Sequence, residues 1–325
     1  MDGPDRLARH PNLSEPRTPI APSGEQIELA FEEQRAIVVE VGAGLRSYLA
    51  DGRSILDGYD ANEIASSGRG QLLIPWPNRI EDGSYEFGGV RHQLSLDEPE
   101  RLNAIHGLVR WSAWRIAERE PDSAALEHIL HPRPGYPFSL ALRVEYRLAA
   151  DGLTVRTEAT NVGNETAPYG AGAHPYLAVS GGLVDTARLQ IPARTVLEAN
   201  DRGIPVGAAP VDGSDLDFRV TRAIGTTKLD YAFTDLERGP DGLARVELMS
   251  DGGQSTLWAA ESYPYLMVFS GDTLPTGGRR SLAVEPMTCA PNAFRSGDGL
   301  IRLEPEQTHS GSWGIAPVAG AFSFS

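Results

Sequence analysis

Two short segments, far apart in the chain, carry side chains able to move protons at neutral pH. One is Ala173-His174-Pro175-Tyr176, which follows the small-residue stretch Tyr169-Gly170-Ala171-Gly172. The other is Val284-Glu285-Pro286, followed by Pro291-Asn292-Ala293. A histidine and a glutamate held among small, apolar and proline residues can divide acid and base work between them. Pro175 restricts His174 to extended backbone, and the small residues before it let other groups approach closely. Glu285 continues the apolar run Leu282-Ala283-Val284, where a carboxylate is costly to bury without a partner. It is either a base tuned by its pocket or a strand-end glutamate facing water.

Other residues could hold what these two act on. Pro75-Trp76-Pro77-Asn78-Arg79-Ile80 sets a large aromatic between two prolines, then offers the fixed donors of Asn78 and Arg79. An aromatic face beside planar polar groups suits a neutral polyhydroxyl ligand; the alternative is a structural loop in which Arg79 pairs a carboxylate. His106 precedes Gly107 and has no metal-ligand spacing to another histidine. Asp230 stands beside Tyr231 and Phe233, where it either holds hydroxyls or caps a turn. His128 and His131 lie three apart in strand-like sequence with no third ligand, so no metal site is expected. His10 and His309 are expected to be solvated.

Composition removes several classes of function. The 325 residues carry a formal charge of -15, which leaves no basic field for nucleic acid or anionic membranes. Lys228 is the sole lysine, and nothing around it suggests the buried amine that Schiff-base chemistry needs. No Gly-Lys-Ser/Thr phosphate loop occurs. Cys289 is the only cysteine, which excludes an intrachain disulfide and predicts a buried reduced thiol. The opening segment is polar and proline-rich without an apolar h-region, and no run approaches the roughly 20 apolar residues of a membrane span. A cytoplasmic protein is expected.

The elements that must position these residues read as strands. Leu140, Leu142, Val144, Tyr146 and Leu148 alternate with smaller or charged residues, a period of two that marks a strand with one buried face. Asp151-Gly152 supplies the turn, and Leu153, Val155, Thr157 and Ala159 continue the period on the return strand. A second hairpin is predicted over 85–94, turning at Gly88-Gly89. Ala36 to Val41, Ala244 to Met249, Ser255 to Ala259 and Leu266 to Phe269 are further strand candidates. The 35 glycines and 24 prolines supply the frequent turns that short strands require. No window sustains a long helical period. The expectation is an all-β chain, a large antiparallel β-sandwich, with residues 1–24 as a flexible tail and 25–325 as one domain.

Taken in order, these segments resemble the aldose 1-epimerase (galactose mutarotase) family. The matching features are Pro77-Asn78-Arg79-Ile80 with Gly83, His106-Gly107, Gly135-Tyr136-Pro137, His174-Pro175-Tyr176, Asp230 before Phe233, and Glu285-Pro286 ahead of Pro291-Asn292-Ala293. They span roughly residues 71–295. The sequence departs from the family pattern at Leu177, where phenylalanine is common, at Leu229, where a second acid is common, and at Asn292, where aspartate is common.

The resemblance implies a large twisted β-sandwich with an open cleft and cofactor-free interconversion of the α and β anomers of a free aldohexose such as glucose or galactose. It implies Glu285 as base and His174 as acid, with Arg79, His106 and Asp230 as substrate-binding groups and Asn78 assisting. A monomer or homodimer is expected, with a monosaccharide as its partner. Two alternatives are a hexose-6-phosphate epimerase, for which Arg279-Arg280 would have to supply phosphate contacts, and a non-catalytic sugar-binding protein on the same fold. A glycoside hydrolase is a weaker alternative, because it wants two carboxylates flanking the bond.

Overall fold

A computed structural model of the chain describes residues 20–318. Residues 1–19, which hold most of the expected tail and His10, lie outside the described residues.

The alternating segment at 140–159 lies within the largest sheet of the described residues, which has nine strands. Leu140–Ala149 pairs along its whole length with Gly152–Asn161, and the even-numbered side chains from Leu140 to Leu148 are all buried. Ser123–Leu130 and Arg115–Arg119 extend this antiparallel sheet on one side. Thr308–Val318, Gly253–Ala259, Ala244–Ser250, Arg188–Gln190 and Arg222–Ala223 extend it on the other. The hairpin expected over 85–94 is present as Ser84–Phe87 paired with Val90–Gln93.

The second large sheet runs Pro205–Pro210, Ala193–Ala199, Asp230–Leu236, Tyr265–Phe269, Ser281–Met287, Gly172–Ala173 and Leu72–Leu73, with Tyr176–Ala178 also on Ser281–Met287. Its two faces differ. Leu282, Val284, Val268, Leu266 and Phe233 join the main apolar core together with Leu142, Val144 and Tyr146 of the first sheet. Side chains alternate along a strand, so Glu285, Met267 and Ala232 project from the opposite face; Ala232 and Met267 belong to a separate small cluster there. The apolar run before Glu285 therefore has one face in the core and one turned to a cleft.

The other sequence expectations have mixed outcomes. Cys289 is a buried free thiol, and burial pushes it up to about 12. His309, expected to be solvated, is half-buried on the last strand with its ring 5.7 Å from that of Tyr169, and burial lowers its pKa. Trp76, read as a ligand-facing aromatic, is instead a core residue, packed edge-on against Phe294 at 5.6 Å. Two prolines fix that loop, but they turn the indole inward. His128 lies against Trp114 with ring centres 5.4 Å apart.

Candidate active site

The register of the second sheet places the histidine opposite the glutamate. Gly172 faces Met287 and Tyr176 faces Ala283, so the same count puts His174 across from Glu285. Pro175 has no N–H, which interrupts the ladder there, and its carbonyl accepts a hydrogen bond from Val284 at 3.1 Å. The segment 68–71 fixes His174 from the other side. Gly70 N–H donates to the His174 carbonyl and His174 N–H donates to that of Gln71, both at 3.0 Å. His174 Nε2 lies 3.2 Å from Glu285 Oε1, and the two residues are only 5% and 2% exposed.

His106 arrives on a different device. Arg79–Glu81 and Asn103–Ile105 form a two-stranded ladder, and just past its end the His106 N–H donates to the Asn78 carbonyl at 2.8 Å. Both residues have left-handed φ, +54° at Asn78 and +61° at His106, a backbone state that asparagine and histidine tolerate better than most. Asn292 clamps this ladder from the C-terminal segment: its N–H donates to the Arg79 carbonyl at 2.7 Å and its Oδ1 accepts from Glu81 N–H at 3.0 Å. The side-chain donor atoms of His106, His174 and Glu285 lie within 4.8 Å of one another. Two imidazoles and a carboxylate are also a donor set that zinc accepts.

These residues open into one cleft of about 480 Å³ whose walls include all six sequence-predicted site residues, Asn78, Arg79, His106, His174, Asp230 and Glu285. Four buried atoms of its lining residues have no partner: Glu285 Oε2, His174 Nδ1, His106 Nδ1 and Arg110 Nε. Unsatisfied buried polar atoms are uncommon, and here they cluster around a space a polar ligand can enter. Asp230 begins its strand at the cleft wall, with its surface reachable by water although protein surrounds it. Burial raises its carboxyl while Arg79 opposes the rise.

Electrostatics keep the central pair neutral. Burial pushes the Glu285 carboxyl well above the usual carboxylate range, the Asp230 charge adds to this, and Arg79 opposes it. Burial pushes His174 down to about 3, helped by the charges of Arg110, Arg69 and Arg79. His106 is also lowered by burial, and then by His174. Arg79 behaves differently. Burial works against its charge, but the Glu98 carboxylate grips Nε and Nη2, each at 2.8 Å, and holds the guanidinium protonated.

Several cleft residues escape a sequence reading. Tyr176 stacks on the His174 ring at 4.9 Å and 11°, and the Arg69 guanidinium carbon lies over the Tyr176 ring, 4.4 Å from its centroid. Asp57 in turn holds Arg69 at 2.9 Å. Glu98 sits in an acidic, proline-flanked loop with no periodic signal; only its reach to Arg79 and Asn103 reveals its place. Phe269, Trp111 and Asp97 also line the cleft. Arg279 does not reach it, being tied to Asp185 and Asp272, and Arg280 lines a neighbouring cavity.

A family model described as aldose 1-epimerase matches residues 25–315. The chain is 38% identical over 295 residues to the uncharacterized protein YihR of Escherichia coli K12, covering 88% of this chain and 91% of YihR. Among solved structures, a GalM/aldose epimerase homologue from C. elegans superposes with a TM-score of 0.82 at 17% identity, over 91% of this chain and 99% of that one. Galactose 1-epimerase from Lactobacillus acidophilus NCFM gives 0.75 at 22% identity, over 90% and 94%. At these identities the two structures speak to fold.

Proposed function

The chain belongs to the aldose 1-epimerase family of isomerases, and we propose that it interconverts the α and β anomers of an unphosphorylated aldohexose, with Glu285 and His174 as its proton-transfer pair. The observation that carries this reading is the buried 3.2 Å contact between His174 Nε2 and Glu285 Oε1, with a second, unpartnered oxygen on Glu285.

In this reading Glu285 removes the proton from the anomeric O1 hydroxyl as the C1–O5 bond breaks, and His174 delivers a proton to O5. The product is the open-chain aldehyde. Rotation about C1–C2 presents the other carbonyl face, and reclosure with the roles reversed gives the other anomer. The pair begins and ends with one proton, so no cofactor is required. A neutral carboxylic acid beside a neutral imidazole holds the same proton count as a carboxylate beside an imidazolium. A substrate that hydrogen-bonds both groups can convert one into the other without exchange with bulk water. Arg79, His106 and Asp230 would hold ring and hydroxyl oxygens while charge moves, with Asn78 bracing the backbone between them.

The charges of the cleft favour an unphosphorylated sugar over a hexose 6-phosphate. Even with Glu285 neutral, the acids Asp97, Glu98, Glu100 and Asp230 outnumber Arg79, Arg101 and Arg110 in its walls. Arg79 and Arg110 are already paired, with Glu98 and Asp97, at 2.8 Å. A phosphate dianion would have to displace these carboxylates. A purely sugar-binding role is disfavoured because a binder gains nothing from a buried acid–base pair. Polarimetry of freshly dissolved α-glucose and α-galactose tests the reading. Optical rotation should decay faster with enzyme than without, and glucose 6-phosphate should gain little. No acceleration on either free sugar would overturn it.

A further inference from the structure

The proton-transfer pair and His106 come from three separate segments, yet their ligand atoms converge within 4.8 Å of one another. His174 Nε2 and Glu285 Oε1 are 3.2 Å apart. Tetrahedral zinc, with bonds of about 2.0–2.2 Å to histidine nitrogen and carboxylate oxygen, sets adjacent ligand atoms roughly 3.3–3.5 Å apart. This pair is therefore already spaced as two ligands of one ion. The widest separation in the set would have to close by no more than about 1.5 Å to match. His106 supplies a ring that can move that far. No hydrogen bond holds its Nδ1, and it meets the His174 ring only edge-on, with centroids 5.3 Å apart.

The donor chemistry selects the metal and limits how tightly it is held. Two imidazoles and one carboxylate suit zinc, with a fourth position left open to the cleft that all three residues line. Magnesium and calcium want a shell of oxygens and are poorly matched. Glu285 Oε2 is buried without a partner, so the carboxylate has a free oxygen as well as the one facing His174. Two features weaken the hold. The charges of Arg79 and Arg110 reach both imidazoles and oppose a further cation. A zinc-bound imidazole usually donates its other ring nitrogen to an acceptor, and losing that partner costs about 10–100-fold in affinity. His174 Nδ1 has no such acceptor. The site is thus built to exchange an ion rather than to retain one.

We propose that His106, His174 and Glu285 form a reversible zinc site, and that zinc inhibits the enzyme by occupying the atoms a sugar must reach. Binding releases the Glu285 proton to solvent, leaves both imidazoles neutral, and gives the fourth position to water. His174 Nε2 then has no lone pair with which to carry a proton, and Glu285 can no longer act as base. The inhibition rests on the aldose reading above; the metal site itself does not.

The test titrates chelator-treated full-length protein with cobalt chloride, whose visible absorption strengthens in a four-coordinate site, and then displaces the cobalt with zinc. Wild type should bind one equivalent. His106→Gln and His174→Gln should each weaken binding at least tenfold. The double variant His128→Gln/His131→Gln, at the other close pair of histidines, should bind as wild type does, and melting temperatures check that every variant folds. In anomeric exchange of glucose and galactose, micromolar zinc chloride should raise KM several-fold with kcat unchanged. EDTA should restore the rate, and magnesium chloride should have no effect. Failure to bind an equivalent of cobalt overturns the site, as does undiminished binding in His106→Gln. Zinc that binds without raising KM overturns the inhibition, and so does exchange that is lost on chelation alone, since the metal would then be required. If no aldose reacts at all, the epimerase reading falls separately and the cobalt titration still decides the site.

Discussion

Glu285 and His174 shift in opposite directions for one reason: burial disfavours the charged form of each. Two pH effects follow. For activity, the reactive state holds one proton on the pair, and adding a second must overcome the depressed His174. The kcat/KM profile should therefore show no acid limb near 6.5, the value of an ordinary histidine; a limb there would mean that His174 is solvated in the working enzyme. For stability, folded His174 stays neutral down to about 3, whereas the unfolded chain takes up a proton below about 6.5. This contribution is thus present above 6.5 and lost as pH falls from there toward 3. In His174→Gln that share of acid destabilisation disappears, so melting temperature should fall less between pH 7 and pH 4 than in wild type. Equal falls would contradict the buried neutral imidazole. Glu285 has the reverse sign. Its raised folded pKa means stability is lost as pH rises above about 4.5 and through the folded value. Glu285→Gln should therefore be inactive yet more heat-resistant at alkaline pH. Both residues stood out in the sequence, His174 by its glycine-rich approach and Glu285 by a charge ending an apolar run. Their direct contact was not legible, because it depends on which strands pair and in which register.

At the scale of elements, two short connections hold the site in shape. The segment 68–71 cradles His174, and Gly68 has φ +77°. A Cβ there would lie 2.6 Å from His174 Cδ2, so Gly68→Ala must displace the ring. We expect kcat to fall at least tenfold, with about 1–2 kcal/mol of backbone strain. Unchanged kcat would show that the ring position is not critical. The Arg79–Glu98 fork joins the 79–81 strand to the acidic loop, and both side chains are 11% exposed. Glu98→Gln removes the charge that holds the guanidinium, costs about 2–3 kcal/mol and should raise KM more than it lowers kcat. A kcat effect with unchanged KM would assign Arg79 to chemistry rather than to substrate binding. The long strands at 140–161 were legible because alternation reports a half-buried face directly. The short strands Gly172–Ala173 and Tyr176–Ala178 were not, since two or three residues carry no period. Trp76 was misread because an aromatic between prolines looks the same in sequence whether it faces ligand or core.

For the molecule as a whole, the main core and the cleft occupy opposite faces of the second sheet. Stability and activity should therefore separate. Leu142, on the first sheet and 2% exposed, packs in the core away from the cleft. Leu142→Ala should cost about 2–5 kcal/mol while leaving kcat per folded molecule unchanged; a matching loss of kcat would mean that the cleft depends on inter-sheet packing. The all-β architecture was legible from the density of turns and the absence of helical period. The open cleft was expected only through the family resemblance; strand periodicity alone does not give it, because its walls combine loop residues between 65 and 111 with one face of the second sheet. The central claim is that the buried Glu285–His174 pair shuttles the proton of an aldose hydroxyl. The most direct test is anomeric exchange of galactose and glucose at equilibrium, measured by magnetisation transfer for wild type, Glu285→Gln and His174→Gln. The account predicts enzyme-dependent exchange in wild type and losses on the order of 10²–10⁴-fold in each variant. Exchange at near wild-type rates in either folded variant would contradict it.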